Sequence, residues 1–320
     1  GSRKTWTNFR FAQPGRYSRE HEAHLQPGDQ FPFTYGVMED PLTGKRDGIF
    51  RKCIESDTCP KVFHTDTATE FWQARASLVV TDINGKDIVL PDNVRAYYMA
   101  GTPHSEIFGT KPYSVGNCQN LSNVLQNGGP MRALLHALDL WVREGVEPPD
   151  SEYPSLSNGT LVGPEQKSVG FPLIPNVIFP EVINRLRVTD YTKFPPQEGA
   201  FYPIFVPKVD RDGNEIAGIR LPDLSVPLAT YAGWNIRTNR SSEGSLCSVI
   251  GSTIPFEVNK VDQERLDDPR SSIEERYGNH NAYVERVSSA AWSLVKHRFL
   301  LEEDVRLYVE LALQRDIGIK

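Results

Sequence analysis

KVFHTDTATEFW, residues 61–72, and VRAYYMAGTPH, residues 94–104, decide how this sequence is read. KVFHT reads as a short strand, and VRAYYMAG is an apolar run of strand length, ended by Gly101. Each is followed by polar residues that carry an ionisable group: Asp66 and Glu70 after the first, His104 after the second. In an open α/β sheet, side chains just beyond the carboxyl ends of parallel strands converge on the ligand crevice, so an acid and a histidine placed there can meet although they are distant in sequence. An acid–histidine relay needs that meeting. The carboxylate fixes the imidazole tautomer and stabilises the imidazolium, while the other ring nitrogen moves protons. A loop histidine that only hydrogen-bonds its surroundings fits the same letters, so geometry has to separate the two.

Around this pair the chain reads as a series of short elements. Residues 3–40 are rich in Pro, Gly, His and aromatics without a period and read as extended chain wrapping a core. DTAT reads as a polar break after the strand, and EFWQARASLVV as a helical turn followed by an extended stretch. TDINGKDIVLP carries Asn84-Gly85, a dipeptide that supplies positive φ in a hairpin turn. MRALLHALDLWVREG predicts a helix with Met131, Leu134, Leu135, Leu138 and Trp141 on one face. Residues 155–260 read as short extended segments punctuated by Pro and Gly, with a second hairpin turn at Asp212-Gly213. From Ser272 the pattern is helical: Tyr283, Val284, Val287, Ala291, Leu294 and Val295 form one stripe, and residues 302–315 a second helix.

Composition narrows the function classes. The 320 residues are 39% hydrophobic and 24% charged with a net charge of −6, a globular composition without the basic footprint of a nucleic-acid or anionic-lipid binder. No run approaches the roughly 18 uncharged apolar residues of a membrane span, and the first ten residues lack the apolar core of a signal peptide. Small molecules or other proteins are the expected partners. Of the four cysteines, Cys53 and Cys59 flank ESDT at a spacing that closes a small disulfide ring, which would place the chain in a secreted or periplasmic compartment; four free thiols are the other reading.

Other motifs carry less. His21 and His24 in REHEAH stand at i and i+3, not the i, i+4 of a zinc-protease helix. VDRDGNE lacks the twelve-residue ligand spacing of a calcium loop. Glycine-rich phosphate loops are missing, and no cofactor is expected. No G-x-S-x-G nucleophile elbow occurs either; the nearest string, PYSVG around Ser114, follows His104 and has Pro112 where the first glycine belongs.

Six stretches together resemble a bacterial family of the α/β-hydrolase superfamily known as alpha/beta hydrolase domain proteins: GSRKTWTNFRFAQPGR (1–16), HTDTATEFW (64–72), YYMAGTPH (97–104), MRALLHALDLWV (131–142), IRLPDLSVPLATYAGWN (219–235) and PRSSIEERYG (269–278). The resemblance implies that the HTDTATEFW stretch supplies the triad acid, on Glu70, and the A-G-T-x-H motif the triad histidine, on His104, with Asp66 as the runner-up acid. Pro103 departs from the polar residue usual before that histidine. The resemblance also implies a nucleophile elbow upstream of the first motif. The expectation is therefore the C-terminal part of an α/β-hydrolase fold: residues 1–150 the end of the catalytic domain, and 151–320 a loop-rich extension ending in two helices. Its expected function is to supply the histidine and acid of a Ser-His-Glu triad to a carboxylic ester hydrolase, with a small-molecule ester as substrate and the N-terminal part of the same protein as partner. A non-catalytic binding or structural module of hydrolase ancestry is the alternative.

Overall fold

The computed structural model describes residues 31–104, 111–181, 183, 185–238, 243–247 and 249–319. Most of the opening segment, with His21 and His24, lies outside them. The longer elements in chain order are β1 (Val62–Thr67), α1 (Ala68–Gln73), β2 (Val94–Met99), α2 (Gly128–Glu144), β3 (Arg187–Asp190), β4 (Gln197–Phe201), β5 (Ala229–Ala232), β6 (Ser252–Pro255), α3 (Lys260–Leu266), α4 (His280–Lys296) and α5 (Glu302–Gln314).

The two decisive stretches are neighbouring parallel strands, paired in register from Val62 opposite Val94 to Thr67 opposite Met99. Such a pair needs both faces covered, which is why VRAYYM is buried almost throughout instead of alternating. The far edge of β2 is occupied as well, by parallel bridges from Tyr97 to Glu152 and from Met99 to Ile219. Phe71, Trp72, Tyr98, Leu224 and Trp234 belong to the main core that packs around this pair. A second cluster, with Phe256, Tyr277, Tyr283 and Val287, seats α4 and α5.

Several local expectations change. DTAT does not break the chain: β1 runs through Asp66 to Thr67, and α1 starts at the next residue. ASLVV is a 3₁₀ turn over Ala76–Val79, not an extended stretch, because Arg75 takes a left-handed conformation with φ 60° and its carbonyl accepts the Leu78 amide. α2 buries Pro130, Ala133, Leu134, Ala137 and Trp141, while Met131 and Leu135 are exposed. Small alanines face the core, so ranking residues by size rotates the predicted face. Both hairpin turns form, bridged Thr81 to Asp87 and Val209 to Glu215, with Gly85 and Gly213 at positive φ. The terminal stripe narrows to Tyr283, Val287 and Ala291 as its buried residues.

Cys53 and Cys59 form the expected disulfide, and a second joins Cys118 to Cys247. Two disulfides fit the oxidising environment of a secreted or periplasmic protein. The second closes a loop of 129 residues, which in the chain-entropy account restricts the unfolded chain by about 5 kcal/mol. Among the described residues no helix is long and apolar enough to cross a membrane.

Candidate active site

Where β1 ends, the sequence Thr67-Ala-Thr-Glu70 is a capping-box signature: Ser or Thr at the helix N-cap with Glu three residues on. The side-chain Oε2 of Glu70 accepts the Thr67 amide at 2.8 Å and also the Thr67 hydroxyl. These bonds satisfy a donor at the start of α1 that no helical carbonyl can reach. They also leave Glu70 with little freedom to turn. Its other oxygen, Oε1, faces β2's end and is in hydrogen-bond contact with Nδ1 of His104. The Glu70 side chain is 8% exposed and that of His104 26%. A mostly buried carboxylate thus holds an imidazole that still reaches the surface.

The loop that carries His104 is fixed from both sides. The carbonyl of Thr102 accepts the Ala68 amide at 3.1 Å, tying the loop to the first residue of α1. The carbonyl of Gly101 accepts from the Asn123 side-chain amide at 2.6 Å. Gly101 bends the chain with φ 67°, and a Cβ there would stand 2.5 Å from Leu224 Cδ1. Thr67, Thr102 and Asn123 were not singled out by the sequence reading. Thr67 was open to detection through the T-x-x-E signature, whereas Asn123 carries no local signal.

Asp66 does not reach His104. His64 and Asp66 are two residues apart on β1 and share a face of the strand. There Asp66 accepts from His64 Nε2 at 2.6 Å and from the Tyr153 hydroxyl at 2.5 Å, while Tyr35 meets His64 Nδ1 at 3.1 Å. Burial, reinforced by the Asp66 charge, pushes both phenols above the ordinary tyrosine range. His64 and Asp66 are 3% and 2% exposed, a polar group closed off inside the core.

Close to the His104 loop lies one more acid. Burial pushes the carboxyl of Glu215 up to about 7, against the downward pull of hydrogen bonds from Tyr98 and the Gly101 amide. The sign follows directly. Below about pH 4.5 Glu215 holds its proton in the folded and unfolded chain alike. Between there and about pH 7 the unfolded chain gives up the proton more readily, so folding stability falls as pH rises, by on the order of 3 kcal/mol. Denaturant melts of wild type and Glu215→Gln from pH 4 to 8 should show this slope in the wild type only. The same slope in both would assign it to another group.

Among the described residues no cluster of three or more His, Cys, Asp and Glu is arranged to hold a metal ion. What the site offers instead is one imidazole oriented through its Nδ1 by a mostly buried carboxylate. That is the acid–base arrangement of acyl-transfer enzymes.

Comparison with known proteins adds family and extent. A family described as an alpha/beta hydrolase domain matches residues 14–310. Neither the curated proteins nor the solved structures give a match. The extent of the family match corrects the reading of the chain as the C-terminal part of the fold, lacking the nucleophile elbow and serving to donate an acid and a histidine to a catalytic parent. The match begins within the opening segment and continues into α5. A domain's extent is set by the residues that build it, and here the buried residues of the main core run from Tyr35 to Ile254. The chain belongs to the alpha/beta hydrolase domain family.

Proposed function

We propose that the protein hydrolyses carboxylic esters of small molecules, with His104 as general base and acid and Glu70 as the carboxylate that orients it. The observation that supports this reading most is the division of labour within Glu70: Oε2 is held by Thr67, and Oε1 meets His104 Nδ1. With its Nδ1 proton donated to Glu70, His104 presents Nε2 as a base. It takes the proton of the attacking oxygen as that oxygen adds to the ester carbonyl. It then returns the proton to the departing alcohol, and the imidazolium formed in between is stabilised by the Glu70 charge.

The test is initial-rate hydrolysis of p-nitrophenyl acetate by the protein across a range of ester concentrations. The expected result is saturable release of nitrophenol above the buffer rate. A rate no greater than buffer with this ester and with its longer-chain homologues would sink the reading and leave a binding module on a hydrolase fold.

A further inference from the structure

The bend that delivers His104 to Glu70 has a support distant in sequence. Glu215 follows the Asp212-Gly213 turn and is 2% exposed. Its Oε2 accepts the Gly101 amide at 2.6 Å and the Tyr98 hydroxyl as well. Tyr98 lies near the end of β2, Gly101 is the residue at which the chain turns, and His104 stands three residues further on. A buried amide at a left-handed bend has no strand partner of its own and needs an acceptor from elsewhere. The backbone after Glu215 then runs along β2: the Ile219 amide donates to the Tyr98 carbonyl at 2.7 Å and the Ala100 amide to the Ile219 carbonyl at 3.1 Å. Gly218 permits this approach, since a Cβ there would meet the Tyr98 carbonyl oxygen at 2.5 Å. The Glu215 carboxyl is therefore anchored to the same strand whose end it clamps.

From this geometry we infer that Glu215 is a positioning residue for His104: by holding the Gly101 amide and the Tyr98 phenol on one oxygen, it sets the bend that keeps His104 Nδ1 on Glu70. The inference rests on the role given to His104 under the proposed function, and it makes a structural claim that can be measured without turnover. An acid is a costly choice for a merely filled core position, because burial disfavours its ionised form. An oxygen aimed at the Gly101 amide is what the position supplies.

The test uses the whole chain and two readouts. The first is kcat and KM for p-nitrophenyl acetate. The second is the downfield proton resonance of the His104 Nδ1–H, assigned by its absence in His104→Ala. Glu215→Ala removes the acceptor, and Glu215→Asp keeps the carboxyl group while withdrawing it by one methylene, so that a folded variant is at hand if the first does not fold. Both are expected to lose the resonance and to lower kcat about 10- to 100-fold with KM little changed, as a catalytic group displaced by a fraction of an ångström to an ångström does. Glu215→Gln, whose amide oxygen can still accept from Gly101, should keep the resonance and recover kcat to within about threefold of wild type.

If the Ala and Asp variants fold and retain both resonance and kcat, Glu215 only fills the core and the inference falls. It falls equally if the Gln variant is no better than the Ala variant. If wild type turns over no ester while the resonance responds to the three variants as described, positioning stands and ester hydrolysis is the reading that fails. Absence of the resonance in wild type at low temperature would remove the His104–Glu70 bond itself and overturn both.

Discussion

Replacing His104 by alanine should lower kcat/KM for p-nitrophenyl acetate by about 10⁴- to 10⁶-fold while leaving the protein folded. The size follows from the work assigned to one ring: it removes the proton from the attacking oxygen, returns it to the leaving group, and spreads positive charge beside Glu70 in between. Among the described residues no second histidine bonds to Glu70. The nearest histidine along β1, His64, is 3% exposed and engaged with Tyr35 and Asp66. Stability should change little, because the His104 side chain is about a quarter exposed and Glu70 keeps its bonds to Thr67 when the imidazole is gone. The informative comparison is therefore rate against melting temperature. A variant with wild-type melting and residual activity within about tenfold of wild type would show that the proton is handled elsewhere.

How far the sequence led can be seen at particular residues. The parallel pair is legible because VRAYYMAG is a largely apolar run of strand length ended by a glycine, and KVFHT has the length and residue types of a short strand. Once they are parallel and adjacent, the residues just past their ends must be close, which leaves Asp66 and Glu70 both open as the acid beside His104; the preference for Glu70 comes from the family resemblance. The T-A-T-E cap was present in the letters but was read as a break, because polar residues after a strand suit a loop and a helix start equally well; only the Glu at the third position separates them. The face of α2 is read only in part: Leu134 and Trp141 are buried as expected, but Met131 and Leu135 are exposed and the small Ala133 and Ala137 are buried in their place.

Contacts between distant segments were not legible in principle. Glu215 reaches Gly101 across 114 residues, and Asn123 reaches it across 22. Neither residue type is unusual where it stands, and a hairpin reading of VDRDGNE treats Glu215 as an ordinary flank. The pairing of Cys118 with Cys247 is of the same kind, since a loop of 129 residues leaves no spacing signature. The extent is misread because the resemblance is taken to imply a nucleophile elbow upstream of the first motif, whereas the family match itself covers residues 14–310.

Two carboxylates follow β1's apolar run, and a paired substitution separates their roles. Glu70→Gln should lower kcat about 10²- to 10⁴-fold with almost no loss of stability. Glutamine serves in a capping box as glutamate does, so α1 keeps its start and Thr67 keeps an acceptor. What is lost is the charge facing the imidazolium, and an amide can present its N–H to Nδ1 and favour the tautomer with the proton on the wrong nitrogen. Asp66→Asn should do the reverse. Asp66 is 2% exposed and accepts from both His64 Nε2 and the Tyr153 hydroxyl, so neutralising it weakens two buried bonds and should cost about 2–4 kcal/mol of stability. Its carboxylate does not touch His104, so kcat per folded molecule should stay within about threefold of wild type. Denaturant melts and active-fraction-corrected rates on the two variants give the answer. If Asp66→Asn loses rate at full stability and Glu70→Gln does not, the acid of the site is Asp66, and the contact between Glu70 and His104 is only a helix cap that happens to meet a loop.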